Sequence, residues 1–118
     1  MTPESTDRKI ETTAGPGRPS GLRVTLAQMR PTKARPNANL AAVRQTVATA
    51  ESTDLIVFPE TVLTGYFIEG GVLEGARSAD EIAAGLGPAR ERAPDVVLGF
   101  YERWRNGLYN AAAYFENS

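Results

Sequence analysis

One short apolar run constrains the fold more than any other part of this sequence. The run Leu55-Ile56-Val57-Phe58 contains no polar side chain, begins after Asp54 and is followed by a proline. Such a run is typical of a strand that is covered on both faces by helices, as in a parallel sheet. It therefore favours the α/β class if strands and helices alternate around it.

The segments before this run supply a strand and a helix. Leu22 to Met29 begins with alternating apolar and polar residues between a glycine and a proline, which predicts a strand. Asn37 or Asn39 can cap a helix that runs to about Ser52. One apolar stripe at helical spacing is formed by Leu40, Val43, Val47 and Ala50.

The segments after the run continue the alternation and then change it. A second helix is predicted over Ala79 to Arg92, although glycines and a proline weaken it. Two strands are predicted over Asp95 to Trp104 and Leu108 to Phe115. The dipeptide Asn106-Gly107 between them is a strong hairpin signal. We therefore expect an α/β sheet with mostly parallel pairing and a late antiparallel hairpin.

The first segment of the chain differs in composition from the rest. Met1 to Gly21 combines Thr, Ser, Glu, Arg, Gly and Pro with almost no large apolar side chains. Such a segment buries too little surface to offset its ordering entropy, so a disordered tail is predicted. It also lacks the apolar stretch of a secretory signal, which makes the cytoplasm the expected location. The ordered part is expected to cover Leu22 to Ser118.

Composition excludes several classes of function. The 118 residues contain no Cys and no His, which rules out disulfides and Cys/His zinc sites among them. Thirteen Lys and Arg against fourteen Asp and Glu leave no basic excess for nucleic acid. No apolar run approaches the roughly 20 residues that span a bilayer. We expect neither a nucleic-acid nor a membrane partner, and no metal ion or organic cofactor is implied.

Glu60 is the strongest candidate for chemistry. It comes directly after the apolar run and its proline, and ligands of open α/β sheets gather at the carboxyl ends of strands. A carboxylate in a crevice there, beside low-dielectric walls, is suited to accept a proton near neutral pH. Position alone favours the alternative, a solvated glutamate at the end of a strand.

Three residues of the late hairpin are further candidates. Glu102 lies near the end of its predicted strand and is either functional or a surface carboxylate paired with Arg103 or Arg105. Gly99 within the same strand predicts a close backbone approach or a bulge. Asn110 is a polar residue in an apolar strand, so it either satisfies backbone groups of a neighbouring loop or faces water.

The stretch Thr61 to Gly75 is rich in glycine and is predicted to be a loop, with room for a short turn of helix. It contains adjacent aromatic residues, Tyr66 and Phe67. These side chains either form the wall of a binding pocket or hold the loop against the core. Tyr66 is the candidate substrate-binding residue.

Taken together, these segments resemble the carbon–nitrogen hydrolase, or nitrilase, superfamily. The resemblance covers about Leu22 to Glu116 and depends on several short pieces in a fixed order. In chain order they are Ala27-Gln28, Asn39-Leu40, Asp54 to Glu60, Leu63 to Tyr66, Gly99 to Glu102 and Leu108 to Ala112. No single piece is decisive, but the ordered set is specific.

The resemblance implies a partial α-β-β-α sandwich and a hydrolase that acts on carbon–nitrogen bonds other than peptide bonds. The implied substrate is a small amide or nitrile, and the implied parent protein is a homo-oligomer. The family uses a Glu-Lys-Cys triad, in which Glu60 matches the general base. Glu102 matches a second glutamate, which supports the lysine and the substrate.

The sequence departs from the family pattern because Glu60 is the one triad member it contains. It has no cysteine, and no lysine follows the Tyr-Asn-Ala strand. We therefore expect an incomplete domain that is inactive by itself. A non-catalytic α/β module that binds a small molecule or a partner is one alternative. A glutaminase-type domain of a synthetase is another.

Overall fold

The computed structural model describes residues 8–9, 21–65, 72–88 and 93–117. Five strands and three helices lie within these residues. In chain order they are β1 (Arg8–Lys9), β2 (Val24–Gln28), α1 (Pro36–Thr49), β3 (Leu55–Val57), α2 (Val72–Gly75), α3 (Ala79–Leu86), β4 (Asp95–Trp104) and β5 (Gly107–Phe115). None of the described helices is long and apolar enough to cross a membrane.

The strands form one mixed sheet in the order β1-β2-β3-β4-β5. The inner pairs, β2 with β3 and β3 with β4, are parallel, whereas both outer pairs are antiparallel. The parallel sheet with a late antiparallel hairpin is therefore confirmed. β1 falls within the segment predicted to be disordered. The remainder of that segment lies outside the described residues, so its disorder stays a prediction.

Helices α1 and α3 cover one face of the sheet and enclose the core. The buried apolar side chains are Ala27, Val43, Ile56, Phe58, Val62, Leu63, Ile82, Val96, Leu98 and Phe100. Val43 comes from the predicted stripe of α1, and its neighbours Leu40 and Val47 pack against this core. Burial of one helical stripe and of alternate strand residues is what joins the two layers.

The opposite face of the sheet carries no helix in the part of the chain that the structure describes. We call it the open face. Leu55 and Val57 are only half-buried there, and Leu26 is 40% and Tyr114 57% exposed. The prediction that β3 is covered by helices on both faces is therefore wrong for the described residues. An apolar run indicates a strand in the interior of a protein, but it does not identify which elements cover each face of that strand.

Helix α1 begins differently from the prediction. Arg35 is the N-cap residue and Pro36 occupies the first helical position, so neither predicted asparagine caps the helix. Asn39 is buried instead. Its Nδ2 group donates to the carbonyl oxygens of Leu63 at 2.6 Å and Thr32 at 2.7 Å. The side chain thereby holds the loop before α1 against the loop that follows β3.

Helix α3 ends earlier than predicted because Gly87 has a φ of +89°, which terminates the helix. Residues 89–92, which the prediction included, lie outside the described residues. Its start is fixed by a capping box between Ser78 and Glu81, a spacing that the sequence pattern would have revealed. The Ser78 backbone N–H, and then Arg103, hold the pKa of the Glu81 carboxyl below its usual value.

The hairpin between β4 and β5 is confirmed, with a shift of one residue. Its two turn residues are Arg105 and Asn106, with φ values of 49° and 63°. Positive φ at both positions is the type I′ geometry that suits the twist of a hairpin. Gly107 is already in β5 and pairs with Trp104.

Candidate functional site

The backbone around Glu60 runs along the edge of β4 beyond the end of β3. The Gly99 N–H donates to the Pro59 carbonyl at 3.3 Å, and the Val62 N–H donates to the Gly99 carbonyl at 3.0 Å. Glu60 therefore lies between two hydrogen bonds to the same strand residue. This attachment fixes its Cα at the carboxyl end of β3, the position that the sequence predicts.

Gly99 makes this attachment possible. A Cβ atom at Gly99 would lie 2.7 Å from the Cα of Glu60 and 2.9 Å from the amide nitrogen of Thr61. Both neighbours are backbone atoms that cannot move aside cheaply. The predicted close approach is confirmed, and the uninterrupted β4–β5 register excludes the alternative of a bulge.

The turn after Glu60 is buried and locally strained. Thr61 is 1% exposed and has a φ of 49°, a region that side-chain-bearing residues rarely adopt. Its hydroxyl donates to the Glu60 carbonyl at 2.7 Å, and its own carbonyl accepts from the Gly65 N–H at 2.9 Å. Backbone strain of this kind persists where the surrounding contacts over-determine it, and it clusters at functional sites.

The carboxylate of Glu60 lies over the open face of the sheet. Its Oε2 atom accepts a hydrogen bond from Nδ2 of Asn110 at 2.6 Å. The two side chains border an open hollow of about 310 Å³, whose other lining residues are Phe58, Val97, Gly99, Ala111 and Ala112. Glu60 is exposed, so the prediction that it is enclosed in a crevice is wrong. Asn110 is exposed, as one of the two predictions for its side chain stated, and it also contacts this carboxylate, which neither prediction included.

Glu102 is not brought together with Glu60. In the β4–β5 register Tyr101 pairs with Asn110, and side chains alternate between faces along a strand. Glu102 therefore leaves the sheet on the side of Phe100, whereas Asn110 leaves it on the open face. Glu102 is half-buried, and its backbone forms an isolated parallel bridge with that of Arg77.

The predicted ion pair of Glu102 is not formed. Arg103 binds Glu81 at 2.8 Å, and the guanidinium of Arg105 lies 4.6 Å from the ring centre of Trp104. Tyr66, the candidate substrate-binding residue, lies outside the described residues.

A second group of polar residues, away from Glu60, joins the beginning of β4 to the end of β5. The Tyr114 hydroxyl donates to Oδ2 of Asp95 at 2.6 Å, and the Asn117 N–H donates to Oδ1 at 2.8 Å. The hydrogen bond from Tyr114, and then that from the Asn117 N–H, lowers the pKa of the Asp95 carboxyl. The bond between Tyr114 and Asp95 also raises the pKa of the Tyr114 hydroxyl.

We expect Tyr114→Phe to lower the melting temperature at pH 7 and to lose this effect in acid. The depressed pKa of Asp95 means that its stabilisation is present above the unfolded value of about 3.9 and is lost as pH falls through the folded value. Melting both proteins at pH 7 and at about pH 2.5 checks this. Tyr109→Phe is the control, since that ring packs edge-on against Trp104. A Tyr114→Phe deficit that is equal at both pH values would contradict the assignment.

Comparison with known proteins identifies the family. The family model for carbon–nitrogen hydrolase matches residues 23–118. Among curated proteins no match is found. A solved structure that resembles this chain is XC1258 from Xanthomonas campestris, described as a CN-hydrolase superfamily protein with an arsenic adduct in the active site. The TM-score is 0.53 at 22% sequence identity, over 79% of this chain.

The match to XC1258 covers only 39% of that protein, so this chain spans about two fifths of its length. At 22% sequence identity, the resemblance to XC1258 shows a shared fold and nothing further. The family model, in contrast, covers the whole sheet from β2 to β5 together with Glu60. The chain therefore belongs to the carbon–nitrogen hydrolase family.

Proposed function

We propose that Glu60 is the general base of an amidase- or nitrilase-like reaction whose lysine and thiol come from outside these 118 residues. One observation carries the proposal. An exposed carboxylate is fixed at the carboxyl end of a sheet strand, through its backbone by Gly99 and through its side chain by Asn110.

The proposed reaction uses this carboxylate twice. Glu60 takes the proton of the thiol, and the thiolate attacks the carbon of the amide or nitrile. The lysine stabilises the negative charge that develops on the substrate. For an amide, the nitrogen leaves as ammonia with the proton from Glu60, and a thioester remains. Glu60 then deprotonates a water molecule that hydrolyses the thioester and releases the thiol.

Two features support a site that is completed by other residues. The chain has no cysteine, and its two lysines are Lys9 and Lys33, both before β3. The open face also leaves the apolar side chains Leu26 and Tyr114 in contact with water. Both lie in one row across the sheet with Val57 and Val97, and an apolar surface of this kind is one on which another protein layer can pack.

The 118-residue chain alone is expected to release no ammonia from a panel of small amides and nitriles. A parent protein in which further residues supply a lysine and a cysteine is expected to release it. Colorimetric ammonia detection on both proteins checks this, with the parent's Cys→Ala variant as the control. Turnover by the 118-residue chain alone, or by the Cys→Ala parent, would contradict the proposal.

The supporting role of Glu102 rests on the family resemblance alone, because its side chain leaves the sheet on the face opposite to Glu60. The amidase, nitrilase and glutaminase-type alternatives remain predictions. A homo-oligomeric parent and a cytoplasmic location remain predictions.

A non-catalytic binding module is the second candidate, and the lack of both Cys and His favours it. It predicts that the chain is monodisperse and unfolds cooperatively by itself. The enzyme proposal predicts that the open face makes the isolated chain self-associate or require a complementing chain. Size measurement and thermal denaturation by circular dichroism separate the two.

A further inference from the structure

We infer that Asn110 is the positioning residue for Glu60. This inference rests on the proposed function, since it concerns how the general base is aimed. The observation behind it is the 2.6 Å hydrogen bond from Asn110 Nδ2 to Glu60 Oε2, which joins residues 50 positions apart in the chain. Because both side chains are exposed, burial does not force them together.

Glu60 needs such a partner because its surroundings do not otherwise restrict it. A glutamate side chain has several rotatable bonds, and an exposed one samples many rotamers. Gly99 and Thr61 fix only its backbone. Asn110 therefore decides where the carboxylate lies over the hollow that the two residues border.

The chemistry of an asparagine suits this task. Its amide donates a hydrogen bond but neither takes up nor releases a proton near neutral pH, so it does not compete for the transferred proton. With Oε2 engaged by Asn110, Oε1 is the oxygen that is left to accept the thiol proton. A lysine in the same place would form an ion pair and oppose protonation of the carboxylate.

The backbone of Asn110 is fixed by the sheet, so its side chain can determine where the Glu60 carboxylate lies. It lies in the middle of β5, which pairs with β4 at nine consecutive residue pairs. Its cross-strand partner is Tyr101, two residues beyond Gly99 in the same strand that holds the backbone of Glu60. Both attachments of Glu60 thus belong to one hairpin, so their spacing is set by strand register.

The test measures the Glu60 side chain directly by NMR in a parent protein that supplies the lysine and the cysteine. Three-bond couplings are expected to show a single χ1 and χ2 rotamer in the wild type and averaged rotamers in Asn110→Ala. Leu108→Ala is the matched control, since Leu108 is exposed, lies on the same strand and points to the same face. It should leave the Glu60 rotamer unchanged. Equal Glu60 rotamer populations in the wild type and Asn110→Ala would overturn the inference.

A kinetic arm in the parent protein separates this inference from the proposed function. Asn110→Ala is expected to lower kcat about 10- to 100-fold, because a misplaced catalytic group costs on that order. KM should change less than about twofold, and the backbone spectrum should be preserved. If Glu60→Gln abolishes turnover while Asn110→Ala retains it, the positioning role is wrong and the general base stands. If Glu60→Gln retains turnover, the proposed function itself fails, whatever the rotamers show.

Discussion

Replacing Gly99 by Ala is expected to destabilise the fold by about 1–3 kcal/mol and to displace Glu60 at the same time. The added Cβ atom would lie 2.7 Å from the Cα of Glu60 and 3.1 Å from the carbonyl oxygen of Pro59. Relief requires the segment after β3 to move away from β4. That movement breaks the two hydrogen bonds that Gly99 makes with Pro59 and Val62.

Urea denaturation of the parent protein measures the loss of stability, and the Glu60 rotamer measured by NMR reports the displacement. Tyr109→Phe is a suitable control, because Tyr109 is exposed, lies in β5 and does not line the hollow beside Glu60. An exposed substitution of this size usually changes stability by less than about 0.5 kcal/mol. A Gly99→Ala chain as stable as the wild type, with Glu60 still bound to Asn110, would show that the close approach is not required.

The parts of the fold that the sequence predicts are those specified by neighbouring residues. The apolar run at β3, the stripe of α1 around Val43 and the turn signal before Gly107 each depend on a few adjacent side chains. Their periodicity identifies the element without knowledge of the rest of the molecule. Even the close approach at Gly99 follows from the presence of a glycine inside a strand.

The parts that could not be predicted depend on residues distant in sequence. The bond between Asn110 and Glu60 requires the register of β5 against β4 and the path of the chain after β3. Neither can be inferred from residues that are neighbours in the sequence. Asn39 is a second case. Its side chain contacts Leu63, 24 positions away, and so occupies the core where a cap was predicted.

The role of Glu60 as general base is tested by the turnover of Glu60→Gln in a parent protein that supplies the lysine and the cysteine. Glutamine keeps an acceptor oxygen for Asn110 and nearly the same shape, but it lacks a basic carboxylate oxygen. Because Glu60 is exposed, the fold should be unaffected. The substitution therefore removes proton transfer and little else.

For Glu60→Gln we expect a fall in kcat of about 10²- to 10⁴-fold, the usual contribution of a positioned general base. Glu102→Gln provides the comparison and should lose less, since Glu102 lies on the other face of the sheet. Circular dichroism of each variant verifies that the protein is folded. A folded Glu60→Gln parent that hydrolyses its amide or nitrile within a few-fold of the wild-type rate would rule out Glu60 as the general base.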